Sequence, residues 1–148
     1  MLKQLRSHFL FLRAGACQGR RQFDRAVALL SEANRLTPNE PIILAFLADA
    51  YYWLKRYDEA LNVIKEGLQL KSEDYQLNRL MVIVLADSGA STGEMIPYIK
   101  TALRNRRAGP LFPRWTQGFK RFKSMEQSHD QWIVWAEKVL HEYEAGRQ

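Results

Sequence analysis

The stretch from Pro41 to Ser72, PIILAFLADAYYWLKRYDEALNVIKEGLQLKS, contains two amphipathic segments separated by a short polar turn. Leu44, Leu47, Ala48 and Tyr51 stand at i, i+3, i+4 and i+7, one face of a helix, and Leu61, Ile64 and Leu68 repeat that spacing on a second segment. The segments meet at Lys55 to Tyr57, which makes the stretch a helical hairpin. Ala48 and Ala60 are small where the two axes must approach, and Gly67 does the same near the end of the second helix. Moving back 34 residues reproduces the pattern: Leu10 for Leu44, Ala14 for Ala48, Phe23 for Tyr57, Ala26 for Ala60, Leu30 for Ile64 and Ala33 for Gly67. A fixed period of this length marks a stacked array of hairpins.

On these residues the chain resembles the tetratricopeptide repeat family. That family's pattern of large-x2-Leu-small-x2-Tyr, then Ala-x3-large, then Pro, is matched by Leu44, Leu47, Ala48, Tyr51, Ala60 and Ile64, with Pro38 closing the preceding repeat. The chain departs from it at Ser72, where Pro is usual, and at Arg13 and Cys17, which replace the Leu and Tyr of the first repeat. That first helix is atypical in the way a terminal repeat is. Ile99, Ala102 and Leu103 continue the register at 35 residues, so a third repeat is expected with one residue inserted around Asp87 to Gly93. The resemblance implies an all-α, TPR-like solenoid of helical hairpins: about three repeats, near 7–40, 41–74 and 75–108, plus a C-terminal helical cap over 109–148 within the same compact domain.

Taken in order, the first helix is predicted over Leu2 to Gln18 and its partner over Phe23 to Leu36. Thr37 to Pro41 stops that partner and starts the next helix, Pro being compatible with a first turn. After the central hairpin, Ser72 is the predicted N-cap of a helix from Glu73 to Asp87. Ser91 or Thr92 caps another from Glu94 to about Arg104. Gly109-Pro110 and Pro113 end the register. A helix from about Arg114 to Lys123 is expected, with Trp115, Phe119 and Phe122 on one face, and a last one after His129-Asp130 bearing Trp132, Trp135, Ala136, Val139, Leu140 and Tyr143. These two form the expected cap.

At 148 residues, with 47% hydrophobic and 26% charged side chains, the chain has the composition of a folded globular domain rather than a disordered one. Its single cysteine excludes an internal disulfide and suits a reducing compartment, so a cytoplasmic location is expected. Lys3 and Arg6 precede Phe9 to Leu12, but Arg13 cuts that apolar run short of an export signal. No segment reaches the length of about 20 apolar residues of a membrane span.

The net charge of +6 is segregated: residues 1–23 carry five basic and no acidic side chains, 95–125 carry eight and none, and the segments between and after are acidic. Lys100, Arg104, Arg106, Arg107, Arg114, Lys120, Arg121 and Lys123 form the densest run, interleaved with Phe112, Trp115, Phe119 and Phe122. Basic residues mixed with aromatics can follow a nucleic-acid backbone and stack bases. Aromatics at helical spacing are more simply core, leaving a solvated basic surface for an acidic protein or another anionic surface.

No catalytic or metal-binding constellation is present in the sequence. His8, His129 and His141 lack the spacing of a helical metal site, Cys17 occupies the family's Tyr position as a packing thiol, and no Gly-rich phosphate loop occurs. No cofactor is implied. Function then rests on shape. In the family the first helices of successive hairpins line a concave groove that holds a peptide. The resemblance places Phe11 and Gly15, then Ile42, Ala45, Asp49 and Tyr52, then Gln76, Arg79 and Ile83 along it, with Tyr52, Trp53 and Arg79 as anchors of the kind favoured in hot spots. Gly15 and Asp49 stand where some members use Asn to clamp a terminal carboxylate, and Asp49 would repel one. The expected role is a non-enzymatic protein–protein interaction module, an adaptor, assembly factor or chaperone, whose partner offers a hydrophobic or amphipathic helix. The alternative is an auxiliary subunit whose basic 100–123 segment binds nucleic acid or another anionic surface. Self-association is compatible with both.

Overall fold

A computed structural model describes residues 1–106 and 120–147, and the side chains of 120–124 and 126 are not described. Seven helices and no strand occur among the described residues: α1 (Leu2–Gly19), α2 (Phe23–Leu36), α3 (Pro41–Trp53), α4 (Tyr57–Leu70), α5 (Tyr75–Asp87), α6 (Thr92–Arg104) and α7 (Lys120–Ala145). The first six pair as three antiparallel hairpins, α1 with α2, α3 with α4 and α5 with α6. Each hairpin stacks its second helix on the first helix of the next.

The turn inside each hairpin has one recurring geometry, read from residues 34 apart. Arg21, Lys55 and Gly89 all adopt positive φ, at 60°, 59° and 87°. The amide of the next residue then returns to a carbonyl five residues back: Gln22 to Cys17 (2.8 Å), Arg56 to Tyr51 (2.9 Å) and Ala90 to Leu85 (3.0 Å). This closes the helix end with a left-handed residue and satisfies carbonyls that would otherwise lack partners. Three residues connect α3 to α4 and four connect α5 to α6, so the extra residue of the third hairpin is absorbed in the turn Ser88–Ser91.

The small residues seen in the sequence lie where helices cross. Ala14, Ala26, Ala33, Ala48 and Ala60 are fully buried. A Cβ at Gly67 would stand 2.8 Å from Leu77 Cδ1, so α4 and α5 touch there because Gly67 has no side chain. Three apolar clusters run continuously through the stack: one between the first and second hairpins around Leu30 and Leu47, one between the second and third around Ile64 and Met81, and one between the third and α7 around Ile99 and Trp132.

Two predicted details are corrected. The N-cap of α5 is Asp74 and not Ser72: its Oδ1 accepts from the Leu77 amide at 3.0 Å, and the helix begins at Tyr75. Asp is as strong a cap as Ser and lies directly before the first helical residue. The last helix does not start after His129-Asp130, because α7 runs through both residues from Lys120. Neither residue carries a helix stop signal, and His129 is buried against α5. The predicted helix face of Trp115 and Phe119 lies outside the described residues, and the side chain of Phe122 is not described. Ser91 caps α6 as expected, with the Glu94 carboxylate accepting from the Ser91 amide at 2.8 Å.

Candidate functional site: the inner face of the first helices

The first helices α1, α3 and α5 contact one another directly, whereas α2, α4 and α6 meet chiefly their own and the following first helices. The layer whose members touch is the short-radius side of the stack, so α1, α3 and α5 form its inner face.

Asp49 sits at the centre of this face. Gln18 Nε2 from α1 donates to its Oδ2 at 3.3 Å and to the Phe46 carbonyl at 3.0 Å, tying α1 to α3. Burial pushes the Asp49 carboxyl up to about 6, against the opposing pull of Arg79 and a hydrogen bond from Trp53. Across on α5, burial lowers the pKa of the Arg79 guanidinium, which Tyr75 and Asp49 oppose. Arg79 and Asp49 do not approach to ion-pair distance, and the buried Arg79 Nε has no hydrogen-bond partner. Its guanidinium instead lies 5.8 Å from the Trp132 ring of α7. Tyr52 Oη donates to Asp87 Oδ2 at 2.5 Å and bridges α3 to α5; burial, then that bond, raises the phenol to about 12.

The other residues expected on this face are placed as follows. Phe11 is half-buried, edge-on to Phe46 with centroids 4.8 Å apart. Gly15, Gln76 and Ile83 are half-buried, and Ile42 is exposed at 56%. Ala45 belongs to the core between the second and third hairpins and offers a ligand almost no surface, which corrects its placement in the lining. Trp53 is half exposed but stacks on Phe23 at 5.8 Å, with Arg21 over its ring, so most of its contacts run to the first hairpin's turn.

Four residues joined to this face were not singled out for it in the sequence: Gln18, Asp87, His129 and Trp132. Gln18 was legible, because it stands 34 residues before Tyr52 and shares its repeat position. His129 contacts Tyr75 Oη (3.2 Å) and Gln76 Nε2 (3.5 Å), so α7 closes the α5 end of the face. No periodicity links residue 129 to residue 75, and that contact was not legible.

The basic run behaves differently from the inner face. Lys100, Arg104 and Arg106 are ion-paired with Glu144, Glu73 and Glu137. Arg107 and Arg114 lie outside the described residues, and Lys120, Arg121 and Lys123 belong to the first turn of α7. His8 and His141 are exposed, Cys17 is half-buried against the first core cluster, and no group of three or more metal-ligating residues occurs among the described residues. Among these residues no helix is long and apolar enough to cross a membrane.

Stacked hairpins with a left-handed turn every 34 residues define a helical-repeat protein. Residues 19–81 match the tetratricopeptide repeat family's model. Its fold is similar to the TPR domain of Sgt2 from Aspergillus fumigatus (TM-score 0.66, 14% identity, covering 96% of this chain and 83% of that one). It is similar also to the Arabidopsis OM64 TPR domain (0.66, 15%, 83% and 98%). A third is the TPR2B domain of yeast Sti1 in its pHsp70 complex (0.65, 12%, 90% and 98%). No curated protein sequence matches the chain.

Proposed function

We propose that this chain is a non-enzymatic protein–protein interaction module, acting in the cytoplasm as an adaptor, assembly factor or chaperone, that holds a partner helix along the inner face of α1, α3 and α5. The observation that carries this reading is the Asp49–Arg79 pair: a half-buried carboxyl and a half-buried guanidinium on adjacent helices, close enough to influence each other yet not joined. Buried polar groups are ordinarily satisfied, and the Arg79 Nε has no hydrogen-bond partner within the chain. Phe11, Ile42 and Tyr52 supply apolar surface beside them.

The structural neighbour in its pHsp70 complex supports partner binding as a use of this fold. The chemistry here differs from that of a carboxylate clamp. Above pH 6 Asp49 is ionised and disfavours a terminal carboxylate, so the reading favours an amphipathic helix with a donor or cation for Asp49 and an acceptor for Arg79. The test is affinity capture from native lysate with tagged wild-type chain and a Tyr52→Ala/Arg79→Ala variant, washed at high salt with nuclease in parallel. A partner held by wild type through salt and nuclease but lost by the variant is the expected result. Complete loss on nuclease treatment would shift the function to the basic 100–123 segment, since phosphate contacts weaken steeply with salt.

A further inference from the structure

Each first helix inside the array is covered by the second helix of the preceding hairpin. Ile43, Leu47 and Ala50 of α3 pack with Ala26, Leu30 and Ala33 of α2, and Leu77, Met81 and Val84 of α5 pack with Ala60 and Ile64 of α4. Thirty-four residues before Ile43, Leu47 and Ala50 stand Phe9, Arg13 and Ala16 of α1, and Leu12 corresponds to Phe46 and Leu80. On α1 this same stacking face lies open. Phe9 is 60% exposed, Leu12 57% and Leu5 62%, in a stripe at the spacing of a helix-packing seam.

Two observations specify what fits. The chain covers the equivalent face with an α-helix on both other occasions, so the geometry is that of a helix-on-helix contact. The charge is one-sided: Arg13 replaces Leu47 and Met81, and residues 1–23 carry five basic and no acidic side chains. Pairing α1 with α1 of a second copy would set like charges together. We propose that the outer face of α1 docks an amphipathic helix of a partner protein carrying a carboxylate opposite Arg13, in the position that α2 and α4 take over α3 and α5. This surface is separate from the inner face, so one chain can join two partners.

The chain supplies its own probe. Met81, the counterpart of Arg13, lines a cleft with Lys65, Leu68 and Gln69 of α4. A stapled peptide of residues 57–70 carrying Lys65→Glu therefore aims a carboxylate at the Arg13 position, and the Lys65 peptide is its charge control. Titrated into the full-length chain and followed by amide chemical shifts, the Glu peptide is expected to perturb residues 5–16 and to bind about fivefold or more tighter than the control. Arg13→Glu, on an exposed side chain, is expected to reverse that order. The proposal is overturned by an absence of shifts up to millimolar peptide, by shifts centred on Asp49 and Arg79, or by a preference indifferent to Arg13→Glu. It is equally overturned if vesicles of mixed phosphatidylcholine and phosphatidylserine bind the chain, or if the chain dimerises, in a manner that Phe9→Ser abolishes.

Discussion

Replacing Asp49 with Asn isolates the energetic cost of the inner face. The carboxyl titrates near 6 in the fold against 3.8 when unperturbed, and its raised value means that the folded state holds a proton which the unfolded state has released between those pH values. Stability therefore falls as pH rises through that window, and above about pH 6 the full penalty is present. At about 1.4 kcal/mol per pKa unit the penalty is on the order of 3 kcal/mol. Asn is nearly isosteric and carries no such dependence. The value near 6 already includes the attraction of Arg79, so the expected net gain for Asp49→Asn at pH 7 is about 3 kcal/mol, with none below about pH 4. Urea unfolding at a series of pH values reads this directly: with a slope near 2 kcal/mol per molar, the midpoint difference between variant and wild type should open from zero to about 1.5 M. Because other carboxylates are common to both proteins, the difference isolates residue 49. Parallel midpoint curves from pH 4 to 7 would refute the reasoning.

Other substitutions test the fold. Leu30→Ala empties a fully buried site and should cost about 2–5 kcal/mol in chemical unfolding. Asp74→Ala should cost about 1 kcal/mol through loss of the α5 cap, whereas Ser72→Ala should cost almost nothing; the reverse order would restore the sequence-based cap assignment. Gly89→Ala places a side chain at φ 87° and should destabilise by about 1 kcal/mol, while Lys55→Gly, at the equivalent turn, should stabilise. Ala60→Trp should abolish cooperative unfolding by overpacking a site with no exposed surface, and a stable helical variant would contradict the repeat register.

The hairpins were legible because packing two helices closely demands small residues at fixed intervals, and Ala14, Ala48, Ala26 and Ala60 mark those intervals without ambiguity. The same register aligns Gln18 with Tyr52, although Gln18 was not singled out in the sequence. Legibility ended where the register did. The resemblance put Asp49 along the groove, but the burial that raises its pKa depends on tertiary packing that no local pattern shows. The continuity of α7 and its docking of His129 and Trp132 against Tyr75 and Arg79 depend on contacts across more than fifty residues. Arg21 and Lys55 hid the left-handed turns because neither residue favours positive φ, although Gly89 at the third position announces the geometry.

The central claim, that the inner face is where this chain holds its partner, is tested most directly by site-specific photocrosslinking in native lysate. A crosslinking amino acid is placed at the exposed Ile42 on α3 and, in a second protein, at the exposed Gln69 on α4. The account predicts a discrete crosslinked partner from position 42, reduced by Arg79→Ala, and none from position 69. The same partner captured equally from both positions, or from position 69 alone, would contradict it.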